Sequence, residues 1–172
     1  NVSRHIYKTK QIDLWFSYIV EIVKLSSFHV GYLLKQRAEK YKSKVAFHII
    51  KKGKPYNVSY DSLWKKVIEV GKGLSLFINH SNKPTIGLLT HNQFNGVLVD
   101  LACLSFGFKV VPIPLNSTPE HVSYIINHSE ISHLFICGKI GKKIWGKVKN
   151  SHDIIAIDMS EIKTTSNYAL NW

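Results

Sequence analysis

Histidine and cysteine side chains are the residues of this sequence that could bind a metal ion. His121 and His128 lie about two helical turns apart, and His133 and Cys137 follow after a short loop. Zinc sites use three or four such ligands at characteristic spacings, and this set matches none of those spacings. We therefore predict surface roles for these histidines and assign no metal-binding residue.

No glycine-rich loop of the phosphate-binding kind occurs in the sequence. Gly71-Lys72-Gly73 falls inside a helical pattern, and the pair Gly138 and Gly141 lacks a third glycine. The G-x-S-x-G turn that presents the serine nucleophile of α/β hydrolases is also absent. We therefore assign no catalytic residue and no cofactor-binding residue.

The polar group His91-Asn92 lies where α/β proteins bind ligands. It follows the short apolar run Ile86–Leu89, which predicts a strand, and it precedes an apolar segment with helical spacing. Ligands of α/β sheets bind at the carboxyl ends of the strands. A second interpretation, which we favour, is that Asn92 caps the following helix by accepting a free backbone N–H.

A strand–helix–strand unit over Thr85–Leu115 positions this polar group. Its helix is apolar on most sides, which is typical of a helix in the middle of a domain. We predict that Gly107 ends the helix in the left-handed conformation and that Phe108 folds back on it. The second strand, Lys109–Leu115, ends hydrogen bonding with its prolines. Both strands should be buried, as in a parallel sheet.

Alternating patterns surround this unit. The run Val45–Ile50 and the alternation through Tyr60 predict an antiparallel hairpin, and Ser59 or Asp61 then caps a helix. From Ser59 onward helix and strand alternate four times, so the predicted fold class is α/β, a doubly wound, mostly parallel sheet with helices on both faces, preceded by the hairpin. Further expected features are a helix cap at Ser117 with Glu120 at capping-box spacing, and apolar stripes through Leu63, Val67, Val70, Leu74 and Phe77 and through Ile140, Ile144, Trp145 and Val148.

Three regions are expected. Residues 1–27 form an extension without an assigned role, 28–158 form the domain, and 159–172 form a tail. Within the extension Leu14–Val23 is apolar but too short to span a membrane. We expect a helix that packs on the domain, with an interfacial helix as the alternative. The chain begins with Asn1 and has only one methionine, Met159, which indicates an internal piece of a longer protein.

Composition limits the class of partner and the compartment. The formal net charge is +12, yet only Arg4 and Arg37 among the 23 basic residues are arginines, and the lysines are spread along the chain. This favours a solvated surface over a nucleic-acid-binding face. Cys103 and Cys137 lie in apolar runs, which favours buried thiols in a reducing compartment and leaves a disulfide open. We expect a cytoplasmic location and leave peripheral membrane contact open.

Seven segments, taken in order, form a recognisable set: Val45–Phe47, Val58–Trp64, Gly71–Leu74, Ile86–Asn92, Asp100–Gly107, Val110–Leu115 and Thr118–Ser129. Together they resemble the amino-terminal region of the AMP-forming acyl-CoA synthetases, an adenylating superfamily. The resemblance covers about Val30–Asp158, and its last segment is most similar to the long-chain fatty acid branch.

The resemblance implies a parent enzyme that joins a fatty acid to ATP and then transfers the acyl group to coenzyme A. It implies ATP, Mg²⁺ and CoA for that parent and none for this chain. The family holds ATP in a Thr/Ser/Gly-rich loop ending in Pro-Lys-Gly and uses a lysine of the carboxyl-terminal domain. Thr164-Thr165-Ser166 contains no glycine, so no residue is carried over.

We therefore expect an amino-terminal fragment that is inactive alone and whose partners are the remainder of the parent enzyme and, in that parent, a fatty acid. Such a fragment should expose an apolar patch around the central unit. The alternative is a non-catalytic α/β binding or interaction module derived from the same fold.

Overall fold

A computed structural model describes residues 12–25, 29–51, 53–78 and 84–159. Two helices come first, and a hairpin follows them. Four helix–strand pairs complete the described chain. The elements are α1 (Ile12–Leu25), α2 (Val30–Tyr41), β1 (Val45–Lys51), β2 (Lys54–Ser59), α3 (Tyr60–Phe77), β3 (Thr85–Leu89), α4 (Phe94–Phe106), β4 (Lys109–Pro112), α5 (Pro119–His128), β5 (Ile131–Ile136), α6 (Gly138–Val148) and β6 (Ile155–Asp158).

The four later strands form one parallel sheet in the order β4-β3-β5-β6. Ile86 of β3 pairs with Val110 of β4, and Leu88 pairs with Phe135 of β5. β1 and β2 form a separate antiparallel sheet, with Ile49 opposite Tyr56. The predicted fold class, a parallel sheet preceded by an antiparallel hairpin, is confirmed.

Helices cover both faces of the sheet. α3, α4 and the hairpin pack on one face, where Ile86 and Leu88 of β3 join the core. α5 and α6 pack on the other face, where Leu89 and Leu134 join a second core. Because β3 lies between two strands and two helix layers, all of its residues are buried.

The helix α4 lies close to two other helices, which explains why its sequence is apolar on most sides. On α3, an ideal Cβ added to Gly71 would lie 2.1 Å from Cε2 of Phe106. On α2, an ideal Cβ added to Gly31 would lie 2.9 Å from Cβ of Ser105. Glycines on the neighbouring helices therefore allow both close approaches.

Two predicted helix ends are confirmed. The Oγ of Ser59 accepts a hydrogen bond from the backbone N–H of Ser62 at 3.2 Å, so Ser59 caps α3. Gly107 ends α4 with φ +78, and the backbone N–H of Phe108 donates to the carbonyl of Cys103 at 3.0 Å. Phe108 is buried, as predicted.

Other details of the prediction are wrong. Tyr60 begins α3 and does not continue the strand, because Ser59 already caps the helix there. Thr118, not Ser117, caps α5, since its Oγ1 accepts from the backbone N–H of His121 at 3.3 Å. β4 is only partly buried, because it lies at the edge of the sheet. Two side chains predicted to be buried are largely exposed, Phe77 at 44% and Ile140 at 58%.

The expected apolar patch around the central unit is also wrong. In the unit Thr85–Leu115 the one large apolar side chain that is clearly exposed is Leu104, because β3 and α4 are covered by their neighbours. Cys103 and Cys137 are both free and buried, which confirms the buried thiols.

The apolar segment of the amino-terminal extension is a helix, as expected, but it does not pack on the domain. Every side chain of 12–23 is exposed apart from partly buried Ile19. Among the described residues no helix is long and apolar enough to cross a membrane. Residues 1–11, 26–28 and 160–172 lie outside the described residues, and with them Thr164-Thr165-Ser166; the three regional boundaries stay predictions.

Candidate functional site

A cavity of about 760 Å³ opens at the carboxyl ends of β3 and β4. We call it the β3–β4 cavity. The hairpin forms one wall, the first turns of α4 form another, and the segment after β4 closes the base. Its lining residues are Phe47, His48, Ile49, Ile50, Leu88, Thr90, His91, Asn92, Gln93, Phe94, Gly96, Val97, Asp100, Pro112, Ile113 and Pro114.

Apolar side chains form most of this lining. The rings of Phe47 and Phe94 meet edge to face, with centroids 5.8 Å apart, so the hairpin is packed directly on the start of α4. Ile49 of the hairpin and Val97 of α4 add branched side chains to the lining. The cavity is therefore suited to an apolar or amphipathic ligand with a small number of polar contacts.

The polar end of the cavity is the amino terminus of α4. Gln93, with φ −145, is the N-cap, and its side chain makes no capping hydrogen bond. The predicted cap at Asn92 is therefore wrong. Asn92 belongs instead to the loop before α4. In this loop the Oγ1 of Thr90 donates a hydrogen bond to the carbonyl of His91 at 3.0 Å. Since no side chain caps the first turn, its N–H groups and the positive end of the helix dipole favour an acceptor or anionic group here.

Gln93 adds an unsatisfied polar group to the same place. Its Nε2 is buried and has no hydrogen-bond partner in the described part of the chain. A buried amide without a partner is costly, and a ligand that accepts a hydrogen bond would satisfy it. The position of His91-Asn92 beside this group is compatible with ligand binding, and that interpretation stays a prediction.

His91 joins the end of β3 to the start of α6. An ideal Cβ added to Gly138 would lie 2.8 Å from Cε1 of the His91 ring, and Gly138 has φ +77. The ring therefore rests on a position that only glycine occupies without strain. His91 itself stays exposed at the cavity edge, where its nitrogens can contact a ligand.

The cavity contains no evident nucleophile or metal site. Asp100 is its only carboxylate, and burial raises the pKa of that carboxyl. Beneath it, burial and the charge of Asp100 raise the pKa of the Cys103 thiol to about 12. A thiol held in its protonated form is a poor nucleophile. Cys103 is therefore not suited to act as a nucleophile at this site.

The remaining candidate residues do not converge. His128 stacks on Tyr124 of α5, with ring centroids 5.3 Å apart, and His133 lies edge to face with Phe77 at 6.0 Å. Burial lowers the pKa of His133. Within the described ranges no group of three His, Cys, Asp or Glu side chains could hold a metal ion.

One serine–histidine pair lies outside the cavity lining. Ser123 Oγ and His152 Nε2 are 2.6 Å apart and partly buried. The pair connects α5 to the segment before β6. Neither residue is part of the lining of the β3–β4 cavity.

Sequence reasoning missed the hairpin wall of the cavity. Phe47, Ile49 and Ile50 are ordinary strand residues, and nothing in their types distinguishes a cavity wall from a sheet face. The only available signal was the alternation that predicted the hairpin. Its position over the carboxyl ends of β3 and β4 depends on tertiary packing.

Comparisons with known proteins concern the family and the fold of the chain. The family model described as AMP-binding enzyme matches residues 34–170. No curated protein sequence matches the chain. Solved structures similar to it include the N-terminal domain of FACL13 from Mycobacterium tuberculosis (TM-score 0.68, 15% identity, covering 77% of this chain and 34% of that one).

Two further solved structures match over similar lengths. The long-chain-fatty-acid-CoA ligase FadD1 from Archaeoglobus fulgidus matches with TM-score 0.69 and 15% identity, covering 82% of this chain and 28% of that one. Coronafacic acid ligase from Pectobacterium brasiliense matches with TM-score 0.67 and 19% identity, covering 83% and 27%. This chain therefore spans about a third or less of the structures that it resembles.

Proposed function

This chain belongs to the AMP-binding enzyme family, and from that premise we propose that it is the amino-terminal part of an ATP-dependent, AMP-forming acyl-CoA ligase that acts on long-chain fatty acids. The family match over residues 34–170 is the observation that carries the proposal. The similar structure named as a long-chain-fatty-acid-CoA ligase supports the choice of substrate class.

In the proposed parent reaction the fatty acid carboxylate attacks the α-phosphorus of ATP, giving an acyl-adenylate and pyrophosphate. The thiol of CoA then attacks the acyl carbon, which gives the thioester and releases AMP. This chain contributes a rigid parallel sheet and the β3–β4 cavity, and the remaining parts of the ligase pack against it. The cavity offers apolar walls and one acceptor-seeking end, which suits a surface beside an acyl substrate.

Magnesium does not fit the residues described here. Asp100 is the only carboxylate in the cavity lining, and burial raises the pKa of its carboxyl. Mg²⁺ needs near-octahedral oxygen ligands and enters such sites with substrate phosphates. In this proposal Mg²⁺ and ATP are therefore bound by other parts of the ligase, and the isolated chain does not form acyl-adenylate.

Pyrophosphate release with palmitate, ATP and Mg²⁺ tests the proposal. The 172-residue chain alone should release no more than a heat-denatured sample, whereas the parent protein should release pyrophosphate only when the acid is present. Butyrate in place of palmitate tests chain length. Acid-dependent release by the isolated chain would contradict the supporting role, and an inactive parent would contradict the ligase assignment.

A non-catalytic binding module is the second candidate, because the β3–β4 cavity combines apolar walls with the unpartnered amide nitrogen of Gln93. Titration calorimetry of the isolated chain with palmitate distinguishes the two candidates. Binding by the chain together with an inactive parent would favour the module. A matched variant, Val97→Arg, places a charge in the cavity and should abolish that binding.

A further inference from the structure

Helix α1 exposes a large apolar surface to solvent. Its exposed fractions range from 39% for Trp15 to 64% for Ile22. Exposed apolar surface of this extent on one element marks an interaction site. The side chains concerned are Ile12, Leu14, Trp15, Phe16, Tyr18, Val20, Ile22 and Val23.

Within residues 12–23 of α1 the polar residues Asp13, Ser17 and Glu21 are confined to one narrow stripe. They are spaced by four residues, so they lie one above another on the helix. The other side chains described there are apolar, apart from the hydroxyl group of Tyr18. The helix thus has a thin polar stripe and an apolar surface around the rest of its circumference.

Such a distribution fits lipid better than a second copy of the helix. Pairing of two helices buries a seam that is narrower than the apolar face of an ordinary amphipathic helix. It would leave most of the apolar surface of α1 in water. A helix lying in a bilayer surface can bury its apolar circumference among acyl chains while the Asp13–Glu21 stripe faces the headgroups.

The length and the flanking charges specify how the helix would lie. Fourteen residues span about 21 Å, which is shorter than the roughly 30 Å hydrocarbon core, so α1 lies in the membrane plane. Residues 1–11 carry three cations and no carboxylate, and residues 30–44 carry five cations and one carboxylate. Basic segments on both sides of an apolar helix complement anionic headgroups.

Trp15 and Tyr18 support the same orientation. Both have an apolar ring with one polar atom, and such residues are enriched at the boundary between acyl chains and water. From these observations we propose that α1 is an interfacial helix that holds this protein on a membrane surface containing anionic lipid. The proposed membrane binding concerns α1 alone and does not depend on the ligase activity proposed above.

Flotation with vesicles tests the proposal directly. The whole 172-residue chain is mixed with vesicles of phosphatidylcholine and phosphatidylglycerol (about 7:3), and the bound fraction is compared with that on pure phosphatidylcholine. The chain should float with both and more strongly with the anionic vesicles. Phe16→Glu and Ile22→Glu should each weaken binding by roughly tenfold or more, because each places a charge among the acyl chains.

Leu76→Glu is the matched control. Leu76 lies on α3 and is 81% exposed, so this variant makes the same kind of change outside α1. Its binding should stay within about twofold of the unsubstituted chain. The α1 variants should unfold at the unchanged temperature, because their sites lie away from the core.

Three outcomes would overturn the proposal. The chain could remain in the aqueous fraction with both kinds of vesicle. The α1 variants could float as well as the unsubstituted chain, which would assign binding to the basic segments alone. Sedimentation could show a dimer that Phe16→Glu converts to a monomer while vesicle binding is absent, which would identify a second copy as the partner. None of these results depends on adenylate formation, so the ligase proposal is tested separately.

Discussion

Replacing Gly71 with alanine tests the close contact between α3 and the last turn of α4. Three ring carbons of Phe106 lie within 2.7 Å of the position that the new Cβ would take. Overpacking in a core costs about 1–3 kcal/mol, and contacts this short indicate the upper part of that range. Removing a glycine from a helix interior returns about 1 kcal/mol. We expect a net loss of about 1–2 kcal/mol in the free energy of unfolding.

Urea unfolding followed by circular dichroism measures this loss, with the slope m required to stay unchanged. The melting temperature should fall by about 2–8 °C for a chain of this size. Gly146→Ala on α6 is the matched control, because no atom lies within 4 Å of its ideal Cβ. There the same substitution should stabilise the protein by about 0.5–1 kcal/mol.

The decisive result is that the free energy of unfolding should fall for Gly71→Ala and rise for Gly146→Ala. If Gly71→Ala were as stabilising as Gly146→Ala, the close contact with Phe106 would not exist and the reasoning would be refuted. A double substitution adds a second check. In a Phe106→Ala background the ring is gone, so Gly71→Ala should become neutral or stabilising.

Three further predictions concern helix ends and one buried thiol. Ser59→Ala removes the side-chain cap of α3 and should lower the free energy of unfolding by about 1 kcal/mol in urea titration. Ser151→Ala is the control, because Ser151 is not the N-cap of a helix, and it should leave the free energy of unfolding unchanged. Gly107→Ala places a Cβ at φ +78 and should cost about 1 kcal/mol in the same assay, although no atom obstructs it. For Cys103, whose pKa is raised to about 12, the unfolded chain binds fewer protons between about pH 9 and 12, so stability should fall as pH rises through that window. A Cys103→Ala variant should show a shallower fall, and an equally steep one would contradict the burial of the thiol.

The order of elements was accessible from the sequence because each one carries a local pattern. The run Ile86–Leu89 is apolar enough for a strand that is buried on both faces, and Gly107 is the residue type that a left-handed helix end requires. Ser59 precedes a clear apolar stripe. These features depend on near neighbours in the chain, and all three are present in the structure.

Details that depend on tertiary position were not accessible. β4 has an apolar sequence much like that of β3, and only the strand order places it at the sheet edge. The N-cap of α5 is Thr118 and not Ser117, and the N-cap of α4 is Gln93 and not Asn92. Which residue becomes the N-cap depends on where the backbone turns from the loop into the helix. Residue type favours Ser117 and Asn92 as caps, so it does not predict the positions that the structure shows.

The sequence did not predict the cavity; it indicated a ligand position at a strand end only as the less favoured of two interpretations. His91 and Asn92 marked the carboxyl end of β3, and the structure places both in the lining. The hairpin wall comes from residues more than thirty positions earlier in the chain. Nothing local in Phe47 or Ile49 indicates that they lie over that strand end.

The central place of β3 has a consequence for synthesis of the chain. β3 hydrogen-bonds to β4 soon after it is made, but its other edge pairs with β5, which follows only after α4, β4 and α5. Loop closure over that distance is slow compared with formation of the β1–β2 hairpin. A growing chain that has not yet reached Ile136 therefore carries an apolar strand with one open edge and one uncovered face. An unpaired apolar strand edge favours aggregation, so completion of β5 removes such a hazard from the growing chain.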